Sequence, residues 1–255
     1  MNKRQQTAVF NTDDLSHKDH MSNLTTYLEK YYLNAQQFCA VCDIDGDELH
    51  ALVAASLVPS PSYIVTESAT IKSFVFGEMP APGSSPGEYF HRDSAVWVKQ
   101  AVATIASHGQ ASAHTILKNK FTNNFAVALK ELNTSTWRLS DSFDENGAVI
   151  PEGLKLRCDT AWKYFLNGTF SLCVTHPVSE AEIAKKEILQ EKLTALSENG
   201  QKTDFTAAEK QMILQLITEY AKSAMPFSPI EYSISSRKRL VENLRARLST
   251  SSLPT

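Results

Sequence analysis

Three helical runs are each preceded by a capping residue three positions ahead of a glutamate: Asp45 and Glu48, Ser179 and Glu182, Thr206 and Glu209. In such a pair the first side chain accepts from the amide of the second residue, and the glutamate reaches back to the amide of the first. Each pair opens a run whose apolar residues recur at helical spacing. The same spacing marks Leu24, Tyr27, Leu28 and Tyr31, and then "NAQQFCAVC", where Asn34 is a fitting cap and Phe38, Val41 and Cys42 should point inward. After Asp45 a helix is expected over 46–56, burying Leu49, Leu52 and Val53 and stopped by Pro59, with Ile44 and Leu49 placed as a hydrophobic staple.

Two short strands, "YIVT" and "IKSFVF", interrupt this pattern as a small wing, and "GEMPAPGSSPG" reads as a mobile loop. Helix then resumes in "RDSAVWVKQAVATIAS", with Val96, Trp97, Ala101, Thr104 and Ile105 near one face, followed by separate helices in "SAHTILKN" and "NNFAVALKEL". Residues 134–153 look irregular around the turn "DENG". "LKLRCDTAWKYFLNG" is a helix closed by Gly168, "GTFSLCVTHP" a connector, and the two capped runs lead to helices ending near Gly200 and Pro226. A last helix uses Leu240, Val241, Leu244 and Leu248. With no internal repeat and no βαβ alternation, the expected fold is mainly α: a disordered tail over 1–21, a winged helix-turn-helix-like module over 22–109, and a helical domain over 110–255. Met21 is a second candidate start.

Composition narrows the function classes. Hydrophobic residues make up 42% and charged residues 21% of 255, ordinary for a globular protein, and the net charge of −3 sets up no field favouring nucleic acid or an anionic membrane. No apolar run is long enough to span a bilayer, and the polar N-terminus lacks a secretory core, so a cytoplasmic location is expected. Four cysteines are too few for a disulfide scaffold.

The charge argument is sharpest over 33–65. This stretch holds Asp43, Asp45, Asp47, Glu48 and His50 but no lysine or arginine. Acids in a first helical turn complement the helix dipole, which explains their presence locally. They do not supply the cations that dominate phosphate contacts, so DNA is an unlikely partner and a protein or small-molecule ligand the expected one. Positive charge concentrates instead at Arg237, Lys238, Arg239, Arg245 and Arg247, either a solvated face or a site for an anion or acidic partner.

Catalytic and metal signatures are sparse. Cys39 and Cys42 form a C-x-x-C, and Cys173 and His176 a C-x-x-H; together they supply four acceptable zinc ligands. The pairs lie far apart in the chain, and cysteines inside an apolar helix act as small hydrophobes, so no metal is expected and the zinc set stands as the alternative. "DIDGDE" fails as a calcium loop, because alignment on Gly46 puts Val41 and Leu52 at ligand positions. Ser235 and Lys238 have the spacing of a Ser–Lys nucleophile without its companion motifs, and no phosphate-binding glycine loop occurs. No cofactor is expected. Trp97, Trp137 and Trp162 read as core anchors.

The order helix, turn, helix, "LVP", wing, "GEYFHRDSAVWVKQ" resembles the N-terminal domain of the mercury-resistance-regulator class, in which a Tyr-x-x-x-Asp begins the helix after the wing; Tyr89 and Asp93 fit that pattern. A longer run, carried by "LTTYLEKYYLNAQQFCAVCDIDGDELHALVAASLVPSPSY", "GEYFHRDSAVWV" and "FLNGTFSLCVTHPVSEAEIAKKE", resembles a bacterial family labelled natural product biosynthesis proteins. That resemblance implies a shared fold and a link to secondary metabolism, and carries over no catalytic residue. Three functions stay open: an accessory or regulatory protein that docks a partner or small ligand through its N-terminal module, a biosynthetic enzyme using Cys173, His176, Arg157 or His91, and a transcription regulator.

Overall fold

A computed structural model of the chain describes residues 24–250. The expected tail over 1–21 lies outside them. Residues 24–31 form helix α1, followed by β1 (Tyr32–Asn34), α2 (Ala35–Cys42) and α3 (Gly46–Ala54). Strands β2 (Tyr63–Val65), β3 (Thr70–Ser73), β4 (Gly77–Pro80) and β5 (Gly87–His91) come next. Helices α4 (Ala95–His108), α5 (Gln110–Ser135), α6 (Pro151–Leu166), α7 (Thr169–Cys173), α8 (Glu180–Leu196), α9 (Ala207–Ser223) and α10 (Leu244–Thr250) follow in the described residues. The protein is therefore mainly α, as its periodicity implies.

The sheet is larger than a wing. Its order is β1-β5-β2-β3-β4, antiparallel throughout, with β5 paired to β1 at Tyr32 and His91 and to β2 at Tyr63 and Tyr89. Tyr89 thus sits in a strand and does not begin a helix, a correction to the Tyr-x-x-x-Asp expectation; α4 starts only at Ala95, after a 3₁₀ turn over Arg92–Ser94. The expected mobile loop is corrected too. Its first four residues form β4, paired with β3 from Ser73 and Gly77 to Thr70 and Pro80. Gly77, at φ 74°, supplies the left-handed residue that closes this hairpin.

Local chemistry accounts for the other departures. Asn34 makes a full capping box with Gln37 at the start of α2, but Val41 is half exposed and Cys39 is buried in its place. Helix α3 ends well before Pro59: Ser56 takes a left-handed φ of 56°, and the Leu57 amide donates to the Leu52 carbonyl at 3.0 Å, a Schellman closure. Val96 is exposed, since the buried face of α4 runs through Trp97, Val98 and Ala101. The two short helices expected after it are one, α5, because no glycine or proline intervenes and Ala113, Leu117, Phe121, Phe125 and Leu129 keep a single apolar stripe. The connector "GTFSLCVTHP" contains α7, and the last helix passes through a π-helical stretch, Lys238–Asn243, before α10.

Three apolar clusters hold these elements together. The largest joins α2, α3 and α4 to α5, α6 and α8, with Phe38, Leu57, Trp97, Phe121, Trp162, Phe165 and Ile188 among its members, so it runs across residue 109. A second packs α1 and the sheet on Leu172, Cys173, Met225 and Phe227, and a third unites α8, α9 and the C-terminal helix. All three predicted capping residues, Asp45, Ser179 and Thr206, accept from the amide of their glutamate, but only Thr206 and Glu209 close the reciprocal box. Trp97 and Trp162 are core residues and Trp137 packs at the core's edge.

Candidate functional site

The cavity with the most developed chemistry opens between α5, α6, α7 and α8. It encloses about 260 Å³. Its floor is Phe125, Leu129, Ala161, Phe170 and Ile188, contributed by the inward faces of four helices. Leu156, Thr160 and Tyr164 recur every four residues along α6 and form one wall, with Leu156 and Tyr164 still exposed. Asp141, Arg157 and Glu187 stand at its polar side.

Arg157 is the structural hinge of this rim. Its Nη2 and Nε donate to Asp141 Oδ2 at 2.6 and 3.2 Å, and its Nη1 donates to Glu191 Oε2 at 2.6 Å. Burial works against its charge, but the bonds to Glu191 and Asp141 outweigh it and raise its pKa further. The guanidinium therefore ties the 136–150 connection and α8 to α6, with all three nitrogens engaged. Glu187 Oε1 accepts from Nζ of Lys186 at 2.8 Å. Lys186 is buried, and the Glu187 carboxylate more than offsets the burial that disfavours its charge. Asp141 is brought into place by a close approach: a Cβ on Gly153 would meet the Asp141 carbonyl oxygen at 1.7 Å, so only glycine lets the first turn of α6 lie against that backbone.

The sequence-level candidates separate. Arg157 lines the cavity; Cys173, His91 and His176 do not. His91 and His176 come together through Asp93: the Asp93 amide donates to His91 Nδ1 at 3.1 Å, and His176 Nδ1 contacts Asp93 Oδ2 at 2.9 Å. A backbone amide only donates, so His91 Nδ1 is unprotonated there. Burial, opposed in part by the Asp93 charge, pushes the His91 pKa down to about 4, and the ring is a neutral, fixed strut between β5 and the chain after α7. His176 is largely exposed on its Asp93 partner. Cys173 is buried against the sheet, where burial pushes its thiol up to about 11, the opposite of a reactive cysteine.

The four residues of the zinc alternative are not brought together. Cys39 and Cys42 belong to the helical cluster and Cys173 to the sheet cluster, while His176 points to Asp93. Among the described residues no three His, Cys, Asp or Glu side chains converge in a metal-holding group. Ser235 acts as a cap, accepting from the Lys238 amide at 3.1 Å. The C-terminal cations are largely spent on the fold: Arg237 Nη1 donates to the Ala221 and Ala224 carbonyls at 2.7 Å, closing the C-terminal end of α9, and Lys238 pairs with Glu242. Between α2 and α3 lies a second, open apolar depression lined by Ala35, Gln36, Cys39, Ala40, Ile44, Asp45 and Gly46. His50, on α3, is turned to Glu88 at 3.0 Å.

Sequence reading missed Asp141, Glu187 and the aromatic floor. The fourfold step Leu156, Thr160, Tyr164 was visible as a helix face, but nothing in it tells a cavity wall from an exposed face.

The sequence model of a family of unknown function, DUF6058, matches residues 117–249, just over half of the chain. The chain belongs to this family. The match begins inside α5 and contains every residue that lines the cavity. No curated protein and no solved structure matches the chain. Among the described residues no helix is long and apolar enough to cross a membrane.

Proposed function

We propose that this DUF6058 protein is a non-catalytic binding protein, an accessory or regulatory component that holds a small ligand in the α5–α6–α8 cavity. The observation that carries this reading is the cavity itself: an apolar floor beneath a few fixed polar groups is the usual form of a small-molecule site. A catalytic reading would need a nucleophile and a base within reach of one another at such a cavity. Here the arginine is consumed by two carboxylates and the cysteine lies in a different cluster. The resemblance to natural product biosynthesis proteins suggests secondary metabolism as its setting and the cytoplasm as its place.

In this reading the helix-turn-helix-like pair α2 and α3 docks a partner and does not read DNA. Its support is the run of acids from Asp43 to Glu48, the absence of lysine and arginine over 33–65, and the apolar depression between the helices. A biosynthetic enzyme is the second reading, favoured by the His176–Asp93 pair, an arrangement that orients an imidazole as a base.

The test is a ligand-observed NMR screen of small molecules against the wild type and Thr160→Trp, which fills the cavity wall. Hits that disappear in Thr160→Trp, with its thermal transition retained, support the reading. Hits that bind both proteins alike, or a screen without hits, would end it. Turnover of a hit that is lost in His176→Ala would favour the enzyme instead.

A further inference from the structure

The cavity has a chemical bias beyond being apolar. Its walls include three aromatic rings, Phe125, Tyr164 and Phe170, the last two edge-to-face with centroids 6.3 Å apart. Its rim carries two carboxylates, Asp141 and Glu187. Both Arg157 contacts to Asp141 fall on Oδ2, and the Lys186 contact to Glu187 falls on Oε1. One oxygen of each carboxylate therefore remains an acceptor without a bond to those cations. Both cations are already committed to acids, Arg157 through all three nitrogens to Asp141 and Glu191, and the buried Lys186 to Glu187. Counting Glu191, three carboxylates face two cations, so the cluster as a whole is negative.

Resting on the ligand-binding reading above, we infer that the cavity takes a cationic amphiphile, a small apolar body carrying a protonated amine. The amine donates to the uncommitted carboxylate oxygens, and aromatic faces attract a cation as well. The apolar body replaces water over the floor. The volume of 260 Å³ lies just below the range usual for drug-sized ligands, so the body is of the size of one aromatic ring or a short aliphatic chain. An anionic ligand meets the opposite conditions, since the arginine that would receive it already holds two carboxylates.

Three nearly isosteric probes decide this: 2-phenylethylamine, 2-phenylethanol and 3-phenylpropanoate, titrated calorimetrically into the full chain at low and physiological salt. The amine should bind about tenfold tighter than the alcohol, the difference between a charge-assisted and a neutral hydrogen bond, and the carboxylate weakest. Higher salt should narrow the gap. In Asp141→Asn, whose amide oxygen still accepts from Arg157, the amine should lose most of its advantage while the alcohol is unchanged. Where that variant fails to fold, the salt dependence on the wild type carries the same decision. Equal affinities, or tightest binding by 3-phenylpropanoate, overturn the cationic assignment and leave the binding cavity standing. Binding of none of the three, with no hit in the Thr160→Trp comparison, overturns both.

Discussion

Two neighbouring aspartates show how one residue type does different work. Asp45 accepts from the Glu48 amide at 2.8 Å as the N-cap of α3. Asp43 closes α2 in the left-handed region, at φ 60° and ψ 45°. The first role depends on the side chain and the second on backbone freedom. Asp45→Ala should lower stability by roughly 0.5–2 kcal/mol, the usual cost of an N-cap. Asp43→Gly should be neutral or stabilising and Asp43→Ala destabilising by about 1 kcal/mol, because alanine is strained at positive φ. Urea midpoints at constant slope report all three, and a stabilised Asp43→Ala would contradict the backbone account. Gly153→Ala is the severe case. The new methyl would overlap the Asp141 carbonyl, a backbone atom that cannot swing aside, so about 1–3 kcal/mol of overpacking is expected. The same change should loosen the Asp141–Arg157 contact and weaken whatever the cavity binds, seen as a lower thermal midpoint together with reduced probe affinity.

At the scale of elements, the join between the sheet and the helices depends on His91. It ends β5, burial keeps it neutral, and its Nδ1 accepts from the Asp93 amide. Its folded pKa of about 4 lies below the ordinary 6.5, so the unfolded chain takes up this proton first as pH falls. The contribution is full above pH 6.5 and is lost on acidification through about pH 4. Its size at neutral pH is roughly 3 kcal/mol, from 1.36 kcal/mol per pKa unit. Denaturation of the wild type and His91→Asn from pH 7.5 to 4.5 should show a steeper fall in the wild type. Parallel curves would remove His91 as the cause. Element boundaries follow the same local logic. Ser56 ends α3 through its left-handed backbone, and the uninterrupted stripe of α5 fuses what short windows read as two helices. The π-helical turn over Lys238–Asn243 has no sequence signal that we can identify.

The whole molecule is knit by a core that ignores the division at residue 109. Phe38 and Leu57 share one cluster with Trp162 and Ile188. We expect a single unfolding transition, with near-ultraviolet and far-ultraviolet dichroism coincident; two separated transitions would favour independent units on either side of residue 109. Much was legible in the sequence because it is local. The caps at Asp45, Ser179 and Thr206, the mainly helical class, the turn at "DENG" and the buried face of Leu240, Val241, Leu244 and Leu248 depend on residues a few positions apart. The five-stranded sheet was not legible, since β1 and β4 are short and gain their strand character from partners, β1 from a strand over fifty residues away. The candidate site was legible only at Arg157. Asp141, Glu187, Phe125 and Phe170 lie on separate elements, and only the packing of α5, α6, α7 and α8 brings them to one cavity. Capping and periodicity are short-range properties that a sequence carries directly, whereas a cavity is the space left when distant helix faces meet, and that depends on tertiary packing.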